Sequence, residues 1–340
     1  MSEIAGTHRR MQVVTVGEAL ASFDGQLRDR NAGDVGTLPT PYGVLNDLLG
    51  GGLHAGDLVL LGGPPGVGKT ITALQWARHL AINGSRAVFA CYEHEPTTLL
   101  VRLLALEIGE LGGDERLARG LTRLLASGAQ QSTGIDEVLL DHPIGAAALE
   151  RLREYADRLI LVRASGSHTT VDDIAALPEL DGAQPGQTVL FVDYLQKIPL
   201  HPEPEVESEK VTRTVEALKD VALSQHLPVV LLSAVDAEGM RVSRPRLHHL
   251  RGSSAIAFES DVVVMMTSKE KAVSKVHLSY DATRARTFRN WVVFSIEKNR
   301  GGPNLVDLEF EKDFAHFRFD PNGGIVSERL VDERLDEDDL

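Results

Sequence analysis

The sequence has a single cysteine, no long hydrophobic run and fewer basic than acidic residues. Cys91 has no second cysteine to pair with, so the chain forms no internal disulfide, which is typical of a reducing compartment. The longest apolar runs, such as Val262–Met266, fall far short of the ~20 residues that a helix needs to cross a bilayer. Residues Met1–Met11 lack the apolar core of a secretion signal. These absences predict a cytoplasmic protein with no membrane partner.

The scarcity of positive charge bears on the partners of the protein. Lysine and arginine number 35 against 49 aspartates and glutamates, which gives a formal net charge of −14. This balance disfavours coating nucleic acid with the whole surface, but it leaves room for a local basic channel. Part of the acidic excess lies in residues 321–340, which are predicted as a solvated tail. Apolar residues make up 43% of the chain, enough for a sizeable core.

From Gly36 to Asp320, strand-like and helix-like patterns alternate. This alternation predicts one α/β domain over residues 36–320, with a mostly parallel sheet flanked by helices. Residues 1–35 are predicted as a linker with a short amphipathic helix at Val16–Arg28. The predicted strands are Asp57–Leu61, Ala87–Tyr92, Leu159–Arg163, Val189–Asp193, Pro228–Ser233 and Asp261–Thr267, followed by antiparallel strands within Asn290–Asp320. The predicted helices are Lys69–Ile82, Pro96–Glu110, Val171–Leu177 and Ser208–His226. Residues 112–145 are predicted as extra helical length, with loops around Ser132–Gly134 and Pro143–Gly145.

A glycine-rich segment between the first strand and the first long helix fits the pattern GxxxxGK[ST] at every fixed position. It comprises Gly63, Pro64, Pro65, Gly66, Val67, Gly68, Lys69 and Thr70. The glycines let backbone N–H groups turn toward phosphate oxygens, and the helix N-terminus adds a partial positive charge. Lys69 is predicted to reach the β- and γ-phosphates of ATP, and the Thr70 hydroxyl to ligate Mg²⁺. The strand–loop–helix context predicts an ATP-binding P-loop.

Two carboxylates at strand ends complete the predicted nucleotide site. Asp193 ends the buried strand Val189–Asp193 and is predicted to orient the Mg²⁺ water shell together with Thr70. Glu93 follows the second strand, where a carboxylate can take a proton from attacking water. Glu95 is the competitor for this role, because alternation along an extended segment puts both side chains on the same side.

Two basic segments are candidates for contacts beyond the chain's own nucleotide. Lys298 and Arg300 lie at a strand end before two glycines. In a ring ATPase, such cations can reach the neighbour's γ-phosphate, although the segment alone is also typical of a solvated turn. A second basic stretch before Gly252 is predicted to contact DNA phosphates without reading sequence, with a solvated loop as the alternative. The predicted DNA contacts are Arg244, Arg246, Arg251, Gly252 and Ser253.

With these motifs in place, the chain resembles the C-terminal ATPase domain of DnaB-type replicative helicases, within the RecA, RadA and KaiC group. The segment Asp193–Gln196 reads DYLQ as in those helicases, and Lys298–Pro303 resembles their finger segment. The resemblance implies a RecA-like core, Gln196 among the nucleotide-binding residues, a hexameric ring with ATP at subunit interfaces, and single-stranded DNA in the central hole. The predicted activity is that of an ATP-dependent DNA helicase or translocase.

Some positions depart from the helicase pattern. Ala234 stands after the strand Pro228–Ser233, where the family commonly has a glutamine that couples the γ-phosphate to DNA. Only about 35 residues precede the predicted ATPase domain, where the family has a domain that engages primase. Gly50–Gly52 lies in a segment closer to the KaiC and RadA branch. The alternative hypothesis is therefore an oligomeric ATPase switch that acts on a protein partner without unwinding.

Overall fold

Each strand predicted from an apolar run is present in the computed structural model, within a residue or two of the expected ends. The structure describes residues 37–126, 134–140, 142–180, 187–252, 254–273 and 287–331, and residues 15–18, 20–21 and 24 near the N-terminus. The chain divides into two compact units, Met1–Gly36 and Thr37–Leu340. In the first unit, the described residues 16–18, 20–21 and 24 are helical.

The second unit is built from short strands and helices in alternation. The strands are β1 (Thr37–Leu38), β2 (Leu53–His54), β3 (Leu58–Gly63), β4 (Arg86–Cys91), β5 (Leu159–Arg163), β6 (Thr188–Asp193), β7 (Val229–Ala234), β8 (Val262–Ser268), β9 (Trp291–Asn299), β10 (Val306–Asp313), β11 (Arg318–Phe319) and β12 (Gly324–Ile325). The helices are α1 (Gly43–Leu48), α2 (Lys69–Ile82), α3 (Pro96–Glu110), α4 (Glu115–Ala126), α5 (Ile135–Leu140), α6 (Pro143–Tyr155), α7 (Val171–Leu180), α8 (Glu207–Gln225), α9 (Ala255–Glu259) and α10 (Lys269–Ala272).

Ten of the described strands form one sheet, with the order β11-β10-β9-β8-β3-β7-β6-β4-β5 and β12 beside β10. In the part of the sheet with the order β8-β3-β7-β6-β4-β5, neighbouring strands pair in parallel. Strand β9 pairs antiparallel with β8 and β10, and β10 pairs antiparallel with β11 and β12. The prediction of a mostly parallel RecA-like sheet with antiparallel C-terminal strands is confirmed. Because the parallel strands run the same way, their carboxyl ends meet at one edge, where α/β proteins bind their ligands.

The sheet is covered on both faces, so its central strands are apolar at nearly every position. Side chains of β3 alternate between two cores. Val59 and Leu61 pack in the core that contains Trp76 of α2, and Leu58 and Leu60 pack in the core that contains the apolar face of α8. All five side chains are buried. This two-sided burial holds the end of β3 rigidly between neighbouring strands.

A buried ion pair joins α2 to α3. Arg78 donates two hydrogen bonds to the carboxylate of Glu107, at 2.7 and 2.6 Å, and the Tyr155 hydroxyl donates a third at 2.8 Å. Glu107 is fully buried, so these bonds compensate the loss of its hydration. The pair fixes the direction of α3 relative to α2, both of which border the carboxyl edge of the sheet.

Several parts of the chain differ from the sequence prediction. Pro143–Gly145, predicted as a loop, is the first turn of α6, a position where proline is well tolerated. Residues 132 and 133 of the other predicted loop lie outside the described residues. The β1–β2 pair and α1 were not predicted, because two-residue strands and a six-residue helix carry too little periodicity to be recognised.

The packed part of the second unit extends beyond residue 320, where the solvated tail was expected to begin. Gly324 pairs with Glu309 of β10, and the N–H of Val331 donates to the Ala272 carbonyl at 2.8 Å. Lys269 pairs with Glu328 at 2.7 Å. The acidic residues 332–340 lie outside the described residues. Within the described ranges, no helix combines the length and the apolar character that crossing a membrane requires.

Candidate functional site

The glycine-rich segment links the carboxyl end of β3 to the first turn of α2. Gly66 and Gly68 have φ angles of 76° and 108°, a region that residues with a Cβ avoid. A Cβ on Gly68 would also lie 2.5 Å from the ring of Phe319. The positive φ angles let the chain curl before α2, whose first N–H groups face the cleft. This is the backbone arrangement that the P-loop pattern predicts.

Lys69 spans this loop from the start of α2. Its ammonium donates to the carbonyls of Gly63 at 2.7 Å and Pro64 at 3.1 Å. Burial lowers the pKa of Lys69, and the carboxylates of Asp193 and Glu93 oppose that shift. The ammonium therefore lies inside the loop beside two negative groups, in a place where anionic oxygens can replace the carbonyls as its partners.

Thr70 and Asp193 meet across the cleft, although they are far apart in sequence. The Thr70 hydroxyl donates to the Asp193 carboxylate at 2.7 Å. Burial raises the pKa of Asp193 to about 6, while the Thr70 hydrogen bond works in the opposite direction. A hydroxyl and a carboxylate are the hard oxygen donors that Mg²⁺ takes, usually with phosphates and waters completing its shell. The two side chains therefore fit a magnesium ion bound together with a triphosphate.

The structure separates the two candidate carboxylates that follow β4. Glu93 lines the same cleft as Lys69, Thr70 and Asp193, a cavity of about 380 Å³. Glu95 instead pairs with Arg163 at 2.7 Å, beside a neighbouring cavity. Glu93 is thus the carboxylate that the fold brings beside the P-loop.

Sequence reasoning missed three side chains of the cleft: Arg102 of α3, and Phe314 and Phe317 in the turn between β10 and β11. The Arg102 guanidinium lies 5.4 Å from the centroid of the Phe317 ring. Burial lowers the pKa of Arg102, and the Asp193 carboxylate opposes that shift. Arg102 could have been noticed in the sequence, because it lies within the largely apolar run Leu99–Ile108 and a charged side chain is rarely buried without a partner or a functional role.

Lys298 and Arg300 lie at the opposite edge of the sheet from the P-loop. Asn299, between them, pairs with Val262 at the start of β8, whereas the P-loop follows the end of parallel strand β3. The Lys298 ammonium donates to the Ala257 carbonyl at 2.7 Å. Arg300 contacts the Asp261 carboxylate at 3.3 Å and remains about half exposed. Neither cation reaches the phosphate cleft of its own chain.

Gln196, which the resemblance placed among the nucleotide-binding residues, does not line the cleft. Its amide nitrogen donates to the Ser233 hydroxyl at 3.0 Å and to the Arg251 carbonyl at 2.8 Å. The side chain lies beside a neighbouring cavity that also contains Arg251.

The predicted DNA-contacting residues do not form one basic surface. Arg244 is a correction: it is buried and pairs with Asp307 at 2.5 Å, so its charge is neutralised inside the protein. Arg246 is largely covered and pairs with the buried Glu297 at 2.9 Å. Ser253 lies outside the described residues.

Arg251, unlike Arg244 and Arg246, is well exposed to solvent, and Gly252 follows it in the chain. The Arg251 side chain is half exposed, and its partner Glu207, at 2.8 Å, is exposed to a similar degree. Gly252 has φ of 124°, and a Cβ there would lie 2.4 Å from Val211 of α8. This close approach holds the segment against α8 and presents Arg251 to solvent. Of the three predicted arginines, Arg251 is therefore the one available to a phosphate.

The sequence of this chain matches the family model of the DnaB-like helicase C terminal domain over residues 37–319. The replicative DNA helicase DnaB of Treponema pallidum (strain Nichols) is 28% identical over 297 residues, which cover 86% of this chain and 58% of the relative. The replicative DNA helicase DnaC of Bacillus subtilis (strain 168) is 26% identical over 315 residues, which cover 88% of this chain and 61% of the relative. The chain thus spans little more than half the length of these curated relatives.

Solved structures share the fold at low sequence identity. An ATPase domain reaches a TM-score of 0.71 at 17% identity, covering 91% of this chain and 99% of that one. A DnaB-like replicative helicase, described with its interactions with primase, reaches 0.66 at 17% identity, covering 91% and 67%. The family match extends over nearly the whole second unit, in agreement with the resemblance that the motifs predicted. The chain belongs to the family of DnaB-like helicase C-terminal domains.

Proposed function

We propose that this chain is the ATPase motor of a DnaB-type DNA helicase or translocase, which hydrolyses MgATP at subunit interfaces and moves on single-stranded DNA. The observation that carries the proposal is the division of charged groups between two edges of one sheet. Lys69, Thr70, Glu93 and Asp193 share the cleft at the carboxyl edge. Arg300 lies at the other edge, out of reach of that cleft.

The cleft offers groups that can bind a triphosphate and activate water for phosphoryl transfer. The loop amides and Lys69 would hold the triphosphate, and Thr70 and Asp193 would hold Mg²⁺. When bound, Mg²⁺ would compensate the charge on the phosphate oxygens. Glu93 would orient the attacking water and accept its proton. Arg102 would add a second cation to the cleft.

The missing component is a cation at the outer side of the γ-phosphate. Head-to-tail assembly would bring Arg300 and Lys298 of one subunit to the P-loop of the next, since a heterologous interface joins opposite sides of the molecule. In such a ring, the cations would stabilise transition-state charge in trans. A closed homo-oligomer, of which a hexamer is the form implied by the family, is therefore part of the proposal, as is action on DNA in the cytoplasm.

The test of the function is steady-state ATPase activity with and without single-stranded DNA. A motor that moves on DNA should hydrolyse ATP faster when its track is present, because DNA binding and the hydrolytic cycle are linked. Turnover that is indifferent to DNA, from a protein that fails to bind DNA at low salt, would contradict the motor. That result would favour the alternative of a KaiC- or RadA-like switch acting on a protein partner.

Glu93→Gln is expected to retain ATP binding and to lose hydrolysis, by about 10²–10⁴-fold in kcat. The amide keeps the size of the side chain but does not accept the proton of the attacking water. Binding is measured with a fluorescent ATP analogue, and turnover by phosphate release. Glu95→Gln is the matched control, because its carboxylate contacts Arg163 instead of the cleft. A dead Glu95→Gln variant with an active Glu93→Gln variant would reverse the assignment.

Arg251→Ala and Arg244→Ala are expected to have opposite effects. Loss of the exposed Arg251 should reduce the log–log salt slope of single-strand affinity by about 0.7, with stability nearly unchanged. Loss of Arg244 should lower the free energy of unfolding by about 3 kcal/mol, because Asp307 loses its charged partner and keeps the hydrogen bond from the neutral Ser295 hydroxyl. The measurements are single-strand binding across a salt series, with a non-hydrolysable ATP analogue, and urea denaturation. Equal salt slopes for wild type and Arg251→Ala would remove Arg251 from the DNA surface.

A further inference from the structure

Gln196 joins three segments of the chain that have different roles in the proposed motor. It follows Asp193 by one short turn, and its amide nitrogen donates to both the Ser233 hydroxyl and the Arg251 carbonyl. Its amide oxygen accepts from the N–H of Ala234 at 3.3 Å. One side chain is thus bonded to the end of β7 and to the segment that presents Arg251.

One end of this bonded unit borders the nucleotide. Ala234, the last residue of the largely buried strand β7, lines the cleft that contains the P-loop. Asp193, which lines the same cleft, is three positions before Gln196. A shift at the end of β7 when the γ-phosphate arrives or leaves would therefore move a partner of Gln196, and a shift at Asp193 would move Gln196 itself.

The other end carries the exposed arginine. The N–H of Arg251 donates to the Ala234 carbonyl at 3.0 Å, and the N–H of Asp236 donates to the His249 carbonyl at 2.9 Å. Val235 bridges Leu250 in antiparallel fashion between them. The segment that leaves the cleft and the segment that presents Arg251 are therefore one short ladder, which Gln196 closes from the side.

We propose that Gln196 is a positioning residue that couples the occupancy of the nucleotide cleft to the placement of Arg251. The inference rests on the proposed function, because it needs DNA at Arg251 and ATP at Lys69. A primary amide suits this position, since it donates to a hydroxyl and a carbonyl while it accepts from an N–H. Gln196 touches neither ligand directly; it acts through Ala234 and Arg251.

Coupling predicts a result that a purely structural role does not. Gln196→Ala should keep basal kcat and KM for ATP, because the residue lies outside the cleft. The stimulation of ATPase by single-stranded DNA should fall about fivefold or more, the lower end of typical coupling between two sites. In binding experiments, the difference in single-strand affinity between the nucleotide-free state and the ATP-analogue state should shrink, and by reciprocity the effect of oligo-dT on the affinity for the analogue should shrink by the same factor.

The experiment measures these quantities with the full chain, using oligo-dT as the DNA probe. Gln225→Ala is the matched control, because the Gln225 amide also holds a distant carbonyl, that of Ala175 at 2.7 Å, but far from both ligands. Gln196→Glu is the second variant: it keeps the volume and the acceptor for Ala234, but it cannot donate to the Arg251 carbonyl. If the Gln196→Ala protein does not fold, the same measurements on the Gln196→Glu protein test the proposal.

The outcomes separate the two proposals. Full stimulation by DNA in the folded Gln196 variants, equal to wild type and Gln225→Ala, would overturn the coupling role and leave the motor intact. Wild type that neither binds oligo-dT nor responds to it would refute the motor itself, and the coupling with it. A loss of stimulation confined to the Gln196 variants, with basal turnover retained, is the expected result.

Discussion

Lys69→Ala is expected to abolish ATP hydrolysis while the fold remains intact. The Lys69 ammonium is the cation inside the loop, 2.7 Å from the Gly63 carbonyl, and no other lysine lines the described cleft. Its loss removes the group that the P-loop provides for the β- and γ-phosphates. The core should tolerate the change, since the ammonium bonds only to loop carbonyls that can be hydrated. The measurements are phosphate release, binding of a fluorescent ATP analogue, and thermal unfolding.

The control for this variant is Lys210→Ala. Lys210 is also a lysine whose ammonium has a partner, the Glu203 carboxylate at 2.6 Å, but it lies on α8 away from the P-loop. It should retain wild-type turnover and nearly wild-type stability. Unchanged turnover in Lys69→Ala would contradict the assignment of the glycine-rich segment as the phosphate site.

Arg300→Ala is expected to reduce kcat by about 10³-fold or more, if its guanidinium stabilises transition-state charge on the next subunit. The structural reason for an effect in trans is the separation of Arg300 from its own P-loop by the length of the parallel strands. Arg289→Ala is the matched control, because Arg289 is also an exposed arginine with one carboxylate partner, Glu270 at 2.8 Å. That variant should behave as wild type.

Mixing two inactive variants tests the position of Arg300 directly. In an equimolar mixture of Arg300→Ala and Lys69→Ala subunits, about one interface in four should combine an intact P-loop with an intact Arg300 from its neighbour. Part of the activity should therefore return, whereas mixing either variant with itself returns none. Failure of rescue by subunits shown to exchange, or activity in a protein that is monomeric at the assay concentration, would argue against a cation in trans.

Local patterns predicted the features whose physical cause is local. The phosphate loop depends on glycines at positions where only positive φ angles allow the turn, and on a lysine at the first turn of the following helix. Strands buried on both faces read as continuous apolar runs, so β3, β6 and β8 were visible before any contact was known. Helix α3 was predicted at both ends because proline starts it and glycines follow it.

Long-range pairing decided the roles that sequence reasoning assigned too broadly. Arg244 and Arg251 lie seven positions apart in one basic stretch, and nothing in that stretch distinguishes them. Arg244 is buried because β9 and β10 bring Asp307 to it, 63 positions along the chain. Arg251 is exposed because its partner, Glu207, lies at the exposed start of α8. Charge pairing over such separations is set by the register of the sheet, which short patterns do not encode.

The sequence by itself determined that this protein has a glycine-rich loop of the P-loop pattern, a carboxylate at a buried strand end and a mostly parallel sheet. Each of these follows from residues that are adjacent in the chain or from the periodicity of a single element. Only the tertiary structure decided which of Glu93 and Glu95 enters the cleft, that Arg102 joins it, that Gln196 leaves it, and that Arg300 lies at the opposite edge. Those outcomes depend on strand order and on the direction of turns after the strands, because side chains far apart in sequence meet only where the sheet aligns the ends of different strands.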